Sequence, residues 1–350
     1  MKIAIPKEIK TLEGRVGLVP EACGELVRAG HRVAVEQGAG LASGFADQAY
    51  RDQGVEMLAD AAAVYDFAEL LVKVKEPIGP ELELLQARHL LFCFLHLAAI
   101  PELQQRLLEI GLTAVAFETL ADAGGLPILA PMSDIAGRLA VQIGSNLLHR
   151  PLGGKGLLLG GLPGVPRGRV VILGAGQAGG NAALVAAALG AEVTIFDKRR
   201  DRLEAMRALG PNVTALYAYH DSIDRAVAGA DLLIGAVLIP GARAPRLISA
   251  EQVAAMQAGS VLVDISVDQG GCIETTRPTT YAEPTYEVSG VTHLCVTNMP
   301  GAVPRSASQA LSAAVIPYLL PLAAGELERN PALRTGINVK AGALVHPALQ

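Results

Sequence analysis

The amino-acid sequence predicts an α/β protein of two domains, each built on a mainly parallel sheet. Three observations carry that reading: a length of 350 residues, an apolar share of 51% against 18% charged, and short apolar runs alternating with helical stretches. A chain of this length exceeds one ordinary core. The apolar share suffices for large cores and is too high for disorder. Strands alternating with helices are the signature of βα units.

Taken in order, residues 2–5 (KIAI) read as a strand, 20–28 as a helix and 31–36 as a strand. Residues 70–74 and 90–95 read as buried strands, and 101–110 as a helix among further strands. A long helix is expected over 133–149, capped by Ser133 or Asp134. Its Ile135, Leu139, Ile143 and Leu147 recur every fourth residue and so share one face. Residues 151–169 hold seven glycines and read as a long loop. A second α/β pattern follows, with strands over 169–173, 192–196, 232–237, 261–265 and 293–296. A last helix is expected over 304–322. Its uncharged stretch 306–325 has the length of a membrane span, but Ser306, Ser308, Gln309, Ser312, Pro317 and Pro321 interrupt it, so a buried helix is expected. The simplest arrangement inserts a second domain, 131–303, into a first made of 1–130 and 304–350.

A net charge of −5 argues against a nucleic-acid or membrane partner, both of which favour a basic face. Cys23, Cys93, Cys272 and Cys295 are scattered, with no C-x-x-C pair, so neither a zinc site nor a disulfide framework is expected. They read as reduced core thiols. The start MKIAIPKEIK lacks the apolar core of a signal peptide, and a cytoplasmic location is expected.

The sharpest motif follows the strand 169–173 (RVVIL): Gly174-Ala175-Gly176-Gln177-Ala178-Gly179, an alanine-rich helix, then a strand ending at Asp197. In that context G-x-G-x-x-G is a dinucleotide fingerprint. Gly174 makes the tight turn, Gly176 lets the backbone approach a pyrophosphate, and Gly179 packs helix on strand. The helix N-terminus offers N–H groups to phosphate. Asp197, 18 residues after Gly179, is placed to accept from ribose hydroxyls and to repel a 2′-phosphate, so NAD is expected over NADP. Lys198, Arg199 and Arg200 beside it read as a solvated basic turn.

Polar residues gather where strands end. Asp268 and Asn298 follow the strands 261–265 and 293–296. Arg15 sits in a polar loop, Lys73 and Lys75 lie at and past a strand end, and His96 closes a buried run. An ionisable group there is costly unless paired or used. The plain alternatives are a core histidine for His96 and surface ion pairs for Arg15 and Lys75.

These segments together resemble the family that alanine dehydrogenase shares with the nucleotide-binding subunit of transhydrogenase. The matching stretches include PKEIKTLEGRVGLVP, LLVKVKEP, FLHLAA, LAPMSDIAGRLAVQIG, LGAGQAGGNAA, SVLVDISVDQGGCIETTRPTTY and NMPGAVP, in the family's order over roughly residues 1 to 325. The resemblance implies two Rossmann-like domains with parallel sheets, the NAD domain inserted into a discontinuous substrate domain. It implies reversible NAD-dependent oxidative deamination of L-alanine to pyruvate and ammonium, a step of amino-acid catabolism, with no metal. Arg15 and Lys75 would hold the substrate's carboxylate and carbonyl, and His96 and Asp268 would form the catalytic pair. Asp197 would bind the ribose, with Ser133, Arg202, Leu238, Val267 and Asn298 near the NAD. Asp268 could bind the ammonium, orient His96 or activate the water. A hexamer is implied. The stretch after Gly325 departs from the family pattern. The competing readings are a transhydrogenase subunit, another amino- or imino-acid reductase, and a silent NAD-binding protein.

Overall fold

The computed structural model describes residues 1–237 and 244–350. The chain divides into two compact units, Met1–Met132 with Val303–Gln350, and Ser133–Ala302.

Among the described residues the first unit holds an eight-stranded sheet. Its order is Ala343–Leu344, Ile337–Lys340, Thr113–Ala116, Leu90–Cys93, Leu70–Val72, Lys2–Ile5, Arg32–Glu36, Glu56–Leu58. Six strands run parallel, and the two from the C-terminal tail add antiparallel. The central strand Leu70–Val72 is wholly buried, the continuous apolar run of a sheet covered on both faces. It stops at Val72, two residues short of the expected end, because the Glu8 carboxylate takes over: Val74 N–H donates to Glu8 Oε1 at 2.7 Å. The core packs Ala4, Leu71, Leu91 and Ala114 of the sheet with Val64, Leu103 and Leu107 of the helices.

The second unit holds seven described strands in the order Thr285–Val288, Val291–Leu294, Val261–Asp264, Leu232–Gly235, Arg169–Leu173, Glu192–Asp197, Val213–Tyr217. All pairings are parallel except the hairpin Thr285–Val288/Val291–Leu294. The chain order reverses at Arg169–Leu173, whose neighbours are Glu192–Asp197 on one side and Leu232–Gly235 on the other. Such a switch point opens a crevice at the carboxyl ends of its strands. The strand expected over 293–296 lies at Val291–Leu294. Ser289 and Gly290, at φ 53° and 76°, form the two-residue turn that sets this register.

Two helices refine the expectations. The helix expected from Ser133 spans Ala130–Leu147, so neither Ser133 nor Asp134 caps it. It is entered through a turn in which Ala130 N–H donates to Leu126 O at 2.9 Å, and Pro131 suits a first turn that needs no N–H there. Asp134 Oδ1 instead accepts from Gln177 Nε2 and Asn181 Nδ2, both at 2.7 Å. The helix Pro304–Ala323 is long and apolar enough to cross a membrane. One face buries Ala307, Leu311, Val315, Leu319 and Leu322, and its serines serve the same unit. Val16 N–H donates to Ser308 Oγ at 3.0 Å and Val19 N–H to Ser312 Oγ at 2.9 Å, as in a core helix. All four cysteines are buried and free.

Candidate functional site

In the second unit the glycine loop sits at the switch point. Gly174 has φ +95°, and a Cβ there would lie 2.6 Å from Ala236 O, past the end of Leu232–Gly235. A Cβ on Gly179 would lie 1.8 Å from Gly174 O, so helix and turn pack to a distance only glycine allows. Gly176 is different. It stands at the N-cap of the helix Gln177–Ala188 without a side-chain cap, and a Cβ there would meet only Arg202 Nη1, at 3.7 Å. The space before this helix N-terminus is therefore bounded by backbone donors and one arginine, a cradle for an anion.

Asp197 ends its strand against this loop. Its Oδ2 accepts from Ala175 N–H and its Oδ1 from Arg199 N–H, each at 2.8 Å, and Arg202 Nη1 lies 3.5 Å away. Arg199 pairs with Asp201 at 2.5 Å and Arg200 with Glu204 at 2.8 Å, both on the surface. Those two cations are thus spent locally, as a solvated basic turn would be.

Past Val261–Asp264 the chain forms a short 3-10 turn, Val267–Gln269, that buries Val267 and exposes Asp268. The turn is anchored by Asp264, which is wholly buried. Its carboxylate accepts from Ser266 N–H at 2.9 Å, Cys272 N–H at 3.1 Å and Thr276 Oγ1 at 2.8 Å. Burial pushes the Asp264 carboxyl above the usual range, against those donors. Asn298 begins the next such turn, its carbonyl accepting from Gly301 N–H at 3.0 Å. Ser133 and Arg202 lie on the helices Ala130–Leu147 and Arg200–Arg207 of this unit. Leu238 lies outside the described residues.

The first unit brings Lys75 and His96 together around a residue the sequence reading passed over, Glu76. Lys75 Nζ lies 3.7 Å and His96 Nδ1 3.4 Å from Glu76 Oε2, while Glu76 Oε1 accepts from Lys10 Nζ. Burial alone would push the Glu76 carboxyl up, but His96, Lys75 and Lys10 hold it well below the usual carboxylate range. Burial lowers the Lys75 ammonium below the ordinary lysine value, with Glu76 opposing. His96 is 33% exposed, so it is no core histidine. Its backbone is left-handed, φ 51° and ψ 34°, and its ring stacks on Phe94 with centroids 5.8 Å apart. The strained turn is held by Glu118 Oε1, which accepts from His96 N–H at 2.6 Å and from Leu95 N–H at 3.2 Å.

Arg15 is buried and clasped by Glu13: Nε donates to Oε1 at 2.7 Å and Nη2 to Oε2 at 2.5 Å, with Nη1 3.3 Å from Met132 Sδ. It is no surface pair. A cavity of about 150 Å³ opens beside Arg15 and Glu13, lined also by Lys7, Glu8 and Leu41; Lys75 and His96 do not line it. Lys73, two residues before Lys75, takes another part. It is wholly buried between Glu8 at 3.3 Å and Glu81 at 2.5 Å. Burial alone would lower its ammonium, but the two carboxylates carry it above the ordinary lysine value. No sequence signal marked Glu13 or Glu76, beyond their places inside the matching stretches; Glu118 follows the apolar run 114–117, a strand-end place like that of His96.

Residues 4–136 match the alanine dehydrogenase/PNT N-terminal domain, and residues 140–347 match the C-terminal domain of the same family. The chain belongs to the alanine dehydrogenase/PNT family. Within that family, the alanine dehydrogenase of Bacillus subtilis is 49% identical over 355 residues, covering 100% of this chain and 94% of that protein. The alanine dehydrogenase of Halomonas elongata is 48% identical, covering 100% and 96%. A solved L-alanine dehydrogenase superposes with a TM-score of 0.96 at 52% identity, covering 100% of this chain and 98% of the other. A transhydrogenase from Sinorhizobium meliloti superposes at 0.86 with 28% identity, covering 99% and 100%. The fold is thus common to both branches of the alanine dehydrogenase/PNT family, and the identity favours the first.

Proposed function

We propose that this chain catalyses the reversible oxidative deamination of L-alanine: alanine, NAD⁺ and water give pyruvate, ammonium, NADH and a proton. The observation that carries the reading is identity of 45–49% to alanine dehydrogenases over essentially the whole chain. The residues present fit a dinucleotide. The helix N-terminus at Gly176 is uncapped by any side chain, and only there in the glycine loop is a Cβ position open. The loop shaped by Gly174 and Gly179 would bring the backbone at Gly176 against the pyrophosphate, and Asp197 would hold the adenosine ribose. Ser133, Arg202, Val267 and Asn298 would stand near the rest of the NAD, with Leu238.

A bound NAD⁺, held by these residues, would supply the acceptor for the hydride of the alanine α-carbon. Arg15 and Lys75 hold the carboxylate and the carbonyl end of the substrate by charge-assisted hydrogen bonds, which fixes the α-carbon in place. Glu13 holds the Arg15 guanidinium by Nε and Nη2, so its plane is set before substrate arrives. His96 exchanges the proton that leaves the amine, or that water gives up as it attacks the imine carbon. Asp268 supplies a carboxylate that takes the ammonium or the proton of that water.

Serine-, glycine- and alanine-derived oxo acids separate the candidates. NADH oxidation with pyruvate and ammonium is expected to exceed that with glyoxylate or hydroxypyruvate, and to exceed the rate with NADPH. No NADH oxidation with pyruvate and ammonium overturns the proposal. The same reading extends to the assembly, a homo-hexamer, on the family resemblance, and to a cytoplasmic place in amino-acid catabolism, with which four free buried thiols accord. Light scattering on the purified protein tests the hexamer.

A further inference from the structure

We infer that Glu76 is the positioning residue of this site, its buried Oε2 facing both the Lys75 ammonium and the His96 imidazole and setting how each is presented. The inference rests on the reading of Lys75 as a substrate ligand and His96 as the proton carrier. Glu76 is 3% exposed, and Oε2 is the buried side-chain oxygen that, among the described residues, lacks a hydrogen-bond partner. A buried carboxylate oxygen left in that state is costly. It is tolerated here because two nitrogens stand at ion-pair distance, 3.7 and 3.4 Å, while Lys10 ties down the other oxygen. The carboxylate is therefore fixed from outside and aimed inward.

Two consequences follow. A carboxylate only accepts, so the His96 contact is attractive when Nδ1 carries the hydrogen. That choice leaves Nε2 as the atom that takes and returns the proton, the arrangement in which an orienting acid fixes a histidine's tautomer. Stacking on Phe94 and the Glu118 clasp on the His96 backbone hold the ring while Glu76 sets its hydrogen. For Lys75, Glu76 opposes the loss of solvation that holds its ammonium below the ordinary lysine value. The charged groups facing Lys75 are Glu76 and Glu13, which favour its charge, and Lys10 and Arg15, which oppose it.

Opposite signs make the test. The dependence of kcat/KM for pyruvate on pH is measured, with thermal midpoint and NADH affinity, for Glu76→Gln and for Lys10→Met. Loss of Glu76 lowers the pH at which Lys75 discharges, so the alkaline limb moves down. Loss of Lys10, a half-exposed cation, moves the limb up by less. The kcat of Glu76→Gln falls about tenfold to a hundredfold, as misplaced reacting groups do, with NADH affinity unchanged. A native pH profile in a folded Glu76→Gln overturns the inference. Should that variant not fold, Glu76→Asp decides: withdrawing the carboxylate from Lys75 and His96 moves the alkaline limb down, and a native profile overturns the inference. Lys75→Met and His96→Ala separate the two levels. If both keep native kinetics, the reading of the site fails; if both collapse while Glu76→Gln stays native, only the role of Glu76 fails.

Discussion

Adding one methyl group at Gly176 and one at Gly179 should produce opposite phenotypes, although the two glycines lie three residues apart. At Gly179 the new Cβ would stand 1.8 Å from the Gly174 carbonyl, a backbone atom that no rotamer change can move. The helix must retreat from the turn, and overpacking of this kind costs about 1–3 kcal/mol or more. At Gly176 the backbone is φ −76° and ψ −164°, ordinary for alanine, and the nearest atom is Arg202 Nη1 at 3.7 Å. There the fold loses only the difference between glycine and alanine as an N-cap, ~1 kcal/mol. The cofactor loses more. A methyl in the cradle holds the pyrophosphate off the helix N-terminus, and a hydrogen bond to a charged group contributes about 1.5–3 kcal/mol. Gly176→Ala should therefore bind NADH at least about tenfold more weakly, ~1.4 kcal/mol, with a near-native urea midpoint, whereas Gly179→Ala should lose stability first. Fluorescence titration with NADH beside urea denaturation reads both. Native NADH affinity in Gly176→Ala refutes the cradle, and a native midpoint in Gly179→Ala refutes the packing argument.

Asp197→Ala should weaken NADH and narrow its advantage over NADPH, because the lost carboxylate also leaves Arg202 without its 3.5 Å partner on Asp197; titration with both nucleotides checks it, and an unchanged ratio counts against the assignment. His96→Ala and Asp268→Asn should each lower turnover by about 10² to 10⁴, with NADH affinity changed by less than about tenfold; near-native turnover in His96→Ala would remove the histidine from the mechanism. Lys73→Met should lower the urea midpoint of the protein, since it strands Glu8 and Glu81 as buried charges, a loss of about 3–5 kcal/mol. A native midpoint there would mean that the two carboxylates take up protons without penalty.

The glycine loop was legible because its physics is local. Turn, helix start and acid follow one another along the chain, and each position's backbone demand shows in its residue type: glycine at φ +95° for Gly174, glycine under a carbonyl for Gly179. The strands Lys2–Ile5 and Arg169–Leu173 were legible for the same reason, as apolar runs of the right length. What escaped was set by distant partners. The helix at Ala130 starts three residues early because a turn and Pro131 suffice, and Asp134, a good cap by type, is drawn to Gln177 and Asn181 some 43 and 47 residues away. The tail strand Ile337–Lys340 joins Thr113–Ala116 across more than two hundred residues, a pairing no window of sequence displays. Ser289-Gly290 was a turn signal in plain view, but the strands on either side of it, TYEV and VTHL, mix polar and apolar residues rather than forming apolar runs, and the hairpin was missed.

The same distinction explains why the cations of the site stood out and their carboxylates did not. Lys75 and His96 stand past or at the ends of buried apolar runs, so their cost of burial is visible from the sequence, while Arg15, in a polar loop, stood out through the matching stretch around it. Glu13 lies in a polar loop and Glu76 beside Lys75, where an acid is ordinary; Glu118 follows the apolar run 114–117 and carried the same strand-end signal as His96, but it was not taken up. Their function appears only once the chain has folded: Glu13 takes two nitrogens of one guanidinium, Glu76 divides its oxygens between Lys10 and the Lys75–His96 pair, and Glu118 takes two successive backbone N–H groups. The last contact is the most telling. A histidine at φ 51° is strained by on the order of 1 kcal/mol or more, and such strain persists only where neighbours over-determine it. A carboxylate receiving the N–H groups of both Leu95 and His96 anchors the chain immediately before that residue and so contributes to holding it. The imidazole is thus aimed by the backbone, its plane by Phe94 and its hydrogen by Glu76, three constraints from three separate stretches of chain meeting on one ring.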